Sequence, residues 1–319
     1  MLYNDTTLNK FLDPKNDIAF KRIFGEEKNK DILLDFINSV LQSDDSIVES
    51  IEYIPTINIP DIGRERVSIV DIMCRDNHGK KFIIEMQVVS TKEYLKRAQY
   101  YAARAYIKQR TKTAKYVGLK EVIFLAICAG IVLPEHNDYI SYHQILELTS
   151  HERHLKDFSF TFIELGKFNK TVDQLATSLD KWTYFFKYAV EAKSFPQSIL
   201  EEEYIHRALD ELSAFNWTEE ELDAYEHFEA EHEAYVNGME EAEEKGIQKG
   251  IEKGMQKGMR EGLAKGMREG LAKGIQKGMQ LGEEKVRLEV ARSLLKSGME
   301  ESAIAAATNL TLEQLKSIR

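Results

Sequence analysis

Residues 68–75 (Ser-Ile-Val-Asp-Ile-Met-Cys-Arg) and 81–89 (Lys-Phe-Ile-Ile-Glu-Met-Gln-Val-Val) are two β-rich runs separated by a short polar stretch ending in Gly79. That pattern specifies a β-hairpin. A three-residue loop at Asn77, His78 and Gly79, with Gly79 in the left-handed conformation such loops favour, pairs Asp76 with Lys80. Counting back along both strands then sets Asp71 opposite Glu85. Side chains alternate, so Gln87 shares their face, whereas Val70, Ile72, Ile84, Met86 and Val88 turn to the other. Two carboxylates facing each other in an apolar hairpin repel. A hard divalent cation such as Mg2+ is the natural counter-charge, because it takes carboxylate oxygens and keeps waters for chemistry. A one-residue slip would separate the acids onto opposite faces, so the candidate site depends on the turn.

With 319 residues, 43% hydrophobic and 30% charged, the chain is long enough for one large core plus appendages, or for two domains. No apolar run approaches the roughly 18 residues needed to span a bilayer. The first residues lack the basic and apolar regions of a secretion signal, so the expected compartment is the cytoplasm. Cys74 and Cys128 fall within expected strands and form no CxxC pattern, which predicts buried thiols rather than a disulfide or thiolate metal site.

The net charge of −10 is unevenly spread. Residues 91–120 hold nine Lys or Arg against one Glu, whereas residues 201–244 hold seventeen acids against one Arg. A basic patch therefore follows the hairpin directly, and a protein acidic on average can still meet a phosphate backbone. The acidic residues themselves read as a solvated helix face.

Before the hairpin, Asp13-Pro14 reads as a helix start, with Asp13 as cap. Apolar residues at 18, 20, 23 and 24, then at 32, 33, 36, 37 and 41, fit two helices separated at Gly25. Residues 47–59 read as a first strand. After it, residues 91–110 have helical spacing with a basic side carrying Lys96, Arg97, Arg104 and Lys108. Residues 121–128 form a short continuous apolar run, expected for a strand buried on both faces. Residues 139–148 and 158–165 are candidate edge strands. From Val172 the pattern is helical, with Leu175, Leu179, Trp182, Phe185, Phe186 and Ala189 as a core-facing stripe.

Glycine recurs at every fourth position from Gly246 to Gly282, usually followed by Ile, Met or Leu. Four residues advance a straight helix by about 400°, so the stripe drifts and cannot face one straight partner throughout. Each Gly also costs about 1 kcal/mol relative to Ala. A marginal helix or flexible linker is expected, with a right-handed supercoiled oligomer as the alternative. Three short helices are expected in the tail, broken at Gly298 and at Asn309-Leu-Thr311. Residues 303–315 loosely match a helix-turn-helix, and a clasp between copies is the simpler reading.

Five pieces, in this order, resemble the PD-(D/E)XK nuclease family transposases, also called recombination-promoting nucleases. They are residues 13–25, the pairing of residues 70–72 with 84–87, residues 97–106 (Arg-Ala-Gln-Tyr-Tyr-Ala-Ala-Arg-Ala-Tyr), residues 116–123 and residues 181–186. The resemblance covers approximately the first 190 residues. It implies an α/β fold with a restriction-endonuclease-like αβββαβ core, the order already read from periodicity, and the helical pattern after Val172 adds a C-terminal all-helical extension. It also implies Asp71 and Glu85 as ligands of a divalent metal, Mg2+ or else Mn2+, and DNA as the partner. The domains expected are a nuclease-like domain over 1–195, an acidic helical segment over 196–244, the Gly repeat over 245–283 and a helical tail over 284–319.

Gln87 departs from the wider superfamily, where Lys stands. Lys can polarise a water and offset charge on phosphate, whereas Gln can only orient through hydrogen bonds. In this particular family Gln is usual. Lys15 or Lys21 is a candidate for the missing charge, and Asp17 for assisting the metal. Arg97, Tyr101 and Arg104 are candidates for holding the DNA backbone. The activity expected is metal-dependent DNA cleavage linked to transposition or recombination. The alternative is a non-catalytic DNA-binding or oligomerising protein on the same fold, assembled through its C-terminal helices.

Overall fold

The computed structural model describes residues 11–41, 47–58, 68–89, 91, 93–110, 115–192 and 194–318. The chain forms two compact units, Met1–Val236 and Asn237–Arg319.

The first unit opens with α1 (Asp17–Phe24) and α2 (Lys30–Val40), divided at Gly25 as the spacing predicts. The cap of α1 is Asn16, not Asp13: its Oδ1 accepts the backbone N–H groups of Ile18 at 2.9 Å and Ala19 at 3.4 Å. Asp13 accepts from the Lys15 N–H instead. Asn16 thus satisfies two donors that the helix itself leaves open, which fixes the start three residues later.

The expected strand over 47–59 divides into β1 (Ile51–Tyr53) and β2 (Ile57–Asn58), and residue 59 lies outside the described residues. Pro55 stands at the break, where a residue without an N–H cannot continue a ladder. β2 pairs with β3 (Ser68–Ile69) in a separate two-stranded ribbon. Residues 68–75 are therefore not one strand, because a bend at Asp71 precedes β4 (Ile72–Asp76). That bend interrupts the alternation, and Val70 is buried with Met73 and Ile83 instead of joining Ile72.

The hairpin is completed by β5 (Lys81–Gln87), followed by α3 (Tyr94–Ile107) and β6 (Val122–Cys128), every residue of which is buried. β7 (Ile140–Gln144) and β8 (Phe158–Glu164) finish a six-stranded mixed sheet of order β1-β4-β5-β6-β8-β7. β5, β6 and β8 run parallel, and the remaining neighbours are antiparallel. Only β7 of the two candidate edge strands lies at an edge; β8 is interior, between β6 and β7. The crossover from β5 to the parallel β6 runs through α3, as a parallel pair demands.

Each face of the sheet has its own core. Ile72, Cys74, Phe82, Ile84, Leu125 and Ile127 pack with α1, α2 and α4 (Ser178–Tyr188). Phe24, Phe36, Trp182 and Phe186 interlock there with ring centroids 5.5–6.2 Å apart. On the opposite face α3 presents Tyr94, Ala98, Ala102 and Ala105 to Met73, Ile83, Phe124 and Ala126. Three alanines let α3 settle closely on the sheet, so that its first turns lie over the end of β5. Both cysteines are buried and free.

Two further helices, α5 (Gln197–Leu200) and α6 (Glu203–Leu212), add Ile199, Ile205, Leu209 and Leu212 to the first core. Part of the acidic charge is used here instead of facing solvent. Glu211 binds Arg22 and Lys28, both at 3.0 Å, and Glu221 binds Arg22 at 2.5 Å.

Glu221 lies in the first turn of α7 (Glu219–Lys296), and the Gly repeat is helical. Lys, Gln, Glu, Met and Leu between the glycines are strong helix formers. Ile251, Met259, Leu263 and Met267 are all exposed along it. In the second unit α8 (Glu301–Thr308) and α9 (Leu312–Ser317) pack Ile304, Leu310 and Leu315 against Ala291. Their boundaries follow the expected signals: Gly298 at φ +79°, Asn309 at φ 58°, and a Thr311–Gln314 capping box. Among the described residues no helix is long and apolar enough to cross a membrane.

Candidate active site

The turn between β4 and β5 decides the geometry. Asp76 Oδ1 accepts the N–H groups of His78 at 2.9 Å and Lys80 at 2.8 Å, while Gly79 takes φ +82°. Asp76 and Lys80 are joined by a backbone bond of 3.0 Å, and the ladder continues Arg75↔Lys81, Cys74↔Phe82, Met73↔Ile83, Ile72↔Ile84. The ladder ends there, and Asp71 lies in the bend just beyond it, within hydrogen-bonding reach of β5. The bend of Asp71 produces a reciprocal latch: its N–H donates to Glu85 Oε2 at 3.3 Å, and its Oδ2 accepts from the Met86 N–H at 2.7 Å. On the other flank of β5, Glu85 neighbours Ala126 of β6, a side chain too small to cover it.

Glu85 and Gln87 are 6% and 8% exposed, so their polar groups need partners within the protein. Gln87 has them: its Nε2 donates to the Val89 carbonyl and its Oε1 accepts from Arg97 Nη2. The Arg97 guanidinium also lies 5.1 Å from the centre of the Tyr94 ring. Among the described residues Glu85 is poorly served, with one long bond to a backbone N–H. Burial above all, and then the Asp71 carboxylate, push Glu85 up to about 8. Asp71 is pushed up to about 6, again chiefly by burial, with Asp17 adding to the rise and the Met86 N–H, Lys21 and Arg97 opposing it. Without a further positive charge, two acids that should be ionised at neutral pH are driven toward protonation.

Asp71, Glu85, Gln87 and Arg97 therefore come together. Asp17 and Lys21 form an ion pair of 2.7 Å on α1, near enough for both charges to act on Asp71. The Tyr101 hydroxyl lies within the field of Glu85, Arg97 and Asp71. Arg104 is over the Tyr100 ring, and Lys15 is turned to Asp13 and the Phe186 carbonyl. Tyr94, the platform under Arg97, is assigned no role by sequence reasoning. The three-residue spacing of Tyr94 and Arg97 on one helix was the available signal. Also missed was a cleft of about 530 Å³ that opens at Asp71 and is lined by Lys21, Arg22, Tyr53 and Trp217.

The donor set fits a hard divalent cation. Two carboxylates are held together on one side of the sheet, one of them buried and under-bonded, and such an ion takes the rest of its shell from water or phosphate oxygens. Among the described residues no group of three or more His, Cys, Asp or Glu gathers as a ready-made metal site.

A mixed sheet flanked by helices, with an Asp and a Glu brought together at the β4–β5 hairpin, is consistent with a nuclease-like α/β fold. The chain belongs to the PD-(D/E)XK nuclease family transposases: the model of that family matches residues 14–242. None of the curated proteins and none of the solved structures compared with the chain matches it.

Proposed function

We propose that the protein is a divalent-metal-dependent DNA endonuclease that hydrolyses phosphodiester bonds during transposition or recombination. The observation that carries this reading is the latched pair of Asp71 and Glu85, two acids held at a separation that backbone hydrogen bonds fix. Ionised, they would hold Mg2+, or Mn2+ in its place. Once bound, the ion would polarise the scissile phosphate and make hydroxide available at neutral pH. The two carboxyls must release protons to bind it, so loading depends on pH. Exposed Lys96, with Tyr101 and Arg104, runs along α3 where a phosphate backbone can be held without reading its sequence. Lys21 adds positive charge at the Asp71 cleft. Copies of the chain associate through the C-terminal helices, where exposed apolar side chains recur along α7. The cytoplasm, where DNA and free thiols coexist, is the compartment that suits this chemistry.

Relaxation and linearisation of supercoiled plasmid tests the reading. Cutting is expected with Mg2+ or Mn2+, and is expected to vanish in EDTA and in Asp71→Ala and Glu85→Ala. Cleavage that survives both substitutions refutes it. One observation favours a second reading: the residue at 87 is a neutral amide already bonded to the Val89 carbonyl and to Arg97 Nη2, so it brings no charge of its own to a water. A non-catalytic DNA-binding protein would hold DNA with an affinity that falls steeply with salt, without metal-dependent turnover.

A further inference from the structure

We propose that Arg97, delivered from α3, supplies the positive charge that a strand lysine provides in related sites, and that Gln87 is the side chain that aims it. This rests on the nuclease reading but makes a separate claim about where the cation sits. Position 87 follows Glu85 by two residues on β5, and Gln there is neutral. Its Oε1 accepts from Arg97 Nη2, a role that Lys, which only donates, could not fill. The neutral residue on the strand and the arginine on the helix are therefore matched to each other.

Three further observations place the charge. The Tyr94 ring, itself 1% exposed, fixes the plane of the guanidinium from below. Arg97 Nε is buried and, among the described residues, has no hydrogen-bond partner. Lys21 and Lys15 each face an acid, Asp17 and Asp13 respectively, at 2.7 Å. Arg97 is bound instead to a neutral amide, and its charge reaches both Asp71 and Glu85. It is a positioning and charge-supplying residue of the acid site, in contrast to a general phosphate clamp on the helix surface.

Mn2+ binding to the full chain, measured by calorimetry at fixed pH, gives a readout that does not require cleavage. A guanidinium beside the acids competes with a divalent ion, so Arg97→Gln should bind Mn2+ about 3–10-fold more tightly, while Arg97→Lys stays within about 2-fold. In plasmid cleavage, Arg97→Gln should lower kcat about 100-fold with KM for DNA nearly constant. Adding Gln87→Lys to it should recover part of the loss. Unchanged or weaker Mn2+ binding by folded Arg97→Gln overturns the proposal, as does a raised KM with kcat intact. Should Arg97→Gln fail to fold by circular dichroism, Arg97→Met carries the same comparison. A wild-type chain that binds Mn2+ through Asp71 and Glu85 without cutting refutes the nuclease reading alone, and the Mn2+ shift still decides the place of the charge. No Mn2+ binding by the wild type overturns both.

Discussion

Replacing Glu85 with Gln should destroy the metal site and, in the metal-free protein, stabilise the fold. Glu85 is pushed from 4.5 up to about 8 by burial and by Asp71. A group whose folded pKa is raised adds stability as its protonated form, fully present below the unfolded value and lost as pH rises through the folded one. Between pH 4.5 and about 8, the wild-type fold must hold a proton that the unfolded chain releases. At pH 7 that costs on the order of 3 kcal/mol, since each pKa unit is worth about 1.4 kcal/mol. Gln is neutral at every pH, nearly isosteric, and can still accept from the Asp71 N–H. Thermal melts in EDTA should therefore show Glu85→Gln with a higher Tm at pH 7 by about 5–10 °C. The gap should close as pH falls toward 4.5, and Mn2+ should raise the Tm of wild type only. A variant that is equal to or less stable than wild type at pH 7, or a gap independent of pH, would refute the electrostatic account of the pair.

Other expectations follow from particular contacts. Gly79→Ala forces a side chain onto φ +82° and brings its Cβ to 3.3 Å from Lys120 Cγ, so chemical denaturation should show a loss of about 1–2 kcal/mol. Asn16→Ala removes the α1 cap and a 2.6 Å bond to Glu229 Oε1, with an expected loss of about 1–2 kcal/mol in the same assay. Trp182→Ala empties the centre of the aromatic cluster and leaves Asp35 without its 2.8 Å donor; a loss of about 3–5 kcal/mol should show as little folded protein in circular dichroism. A chain ending at Val236 should contain fewer protomers per particle than the full chain, as light scattering reads from particle mass divided by chain mass, and an unchanged protomer number would refute association through residues 237–319.

Much of the sheet was legible because its signals are local. The hairpin register is set by one turn, and once Gly79 takes the left-handed conformation every later pair is counted from it. β6 announces itself through a run of residues buried on both faces, and α8 and α9 through Gly298, Asn309 and Thr311. The errors lie where a distant partner overrides local preference. Asp13-Pro14 is a good helix start, yet Asn16 caps α1 while its Nδ2 reaches Glu229, more than two hundred residues on. The single strand expected over 68–75 is broken because residues 68–69 pair with β2, which turns the chain at Asp71.

That bend separates what the chain determines by itself from what its folding decides. Alternation and turn chemistry suffice to set Asp71 across from Glu85, because both act between residues close along the chain. Alternation alone would leave the acids side by side; the bend lets each contact the backbone of the other strand. Nor does any spacing indicate that Arg97 leaves the basic face of its helix to meet Gln87. The small residues of α3 and the sheet beneath it bring that helix close, and burial makes the neutral amide its partner. Charge sign and strand register are properties of sequence, whereas the field at Glu85 is set by whatever else the fold brings within reach.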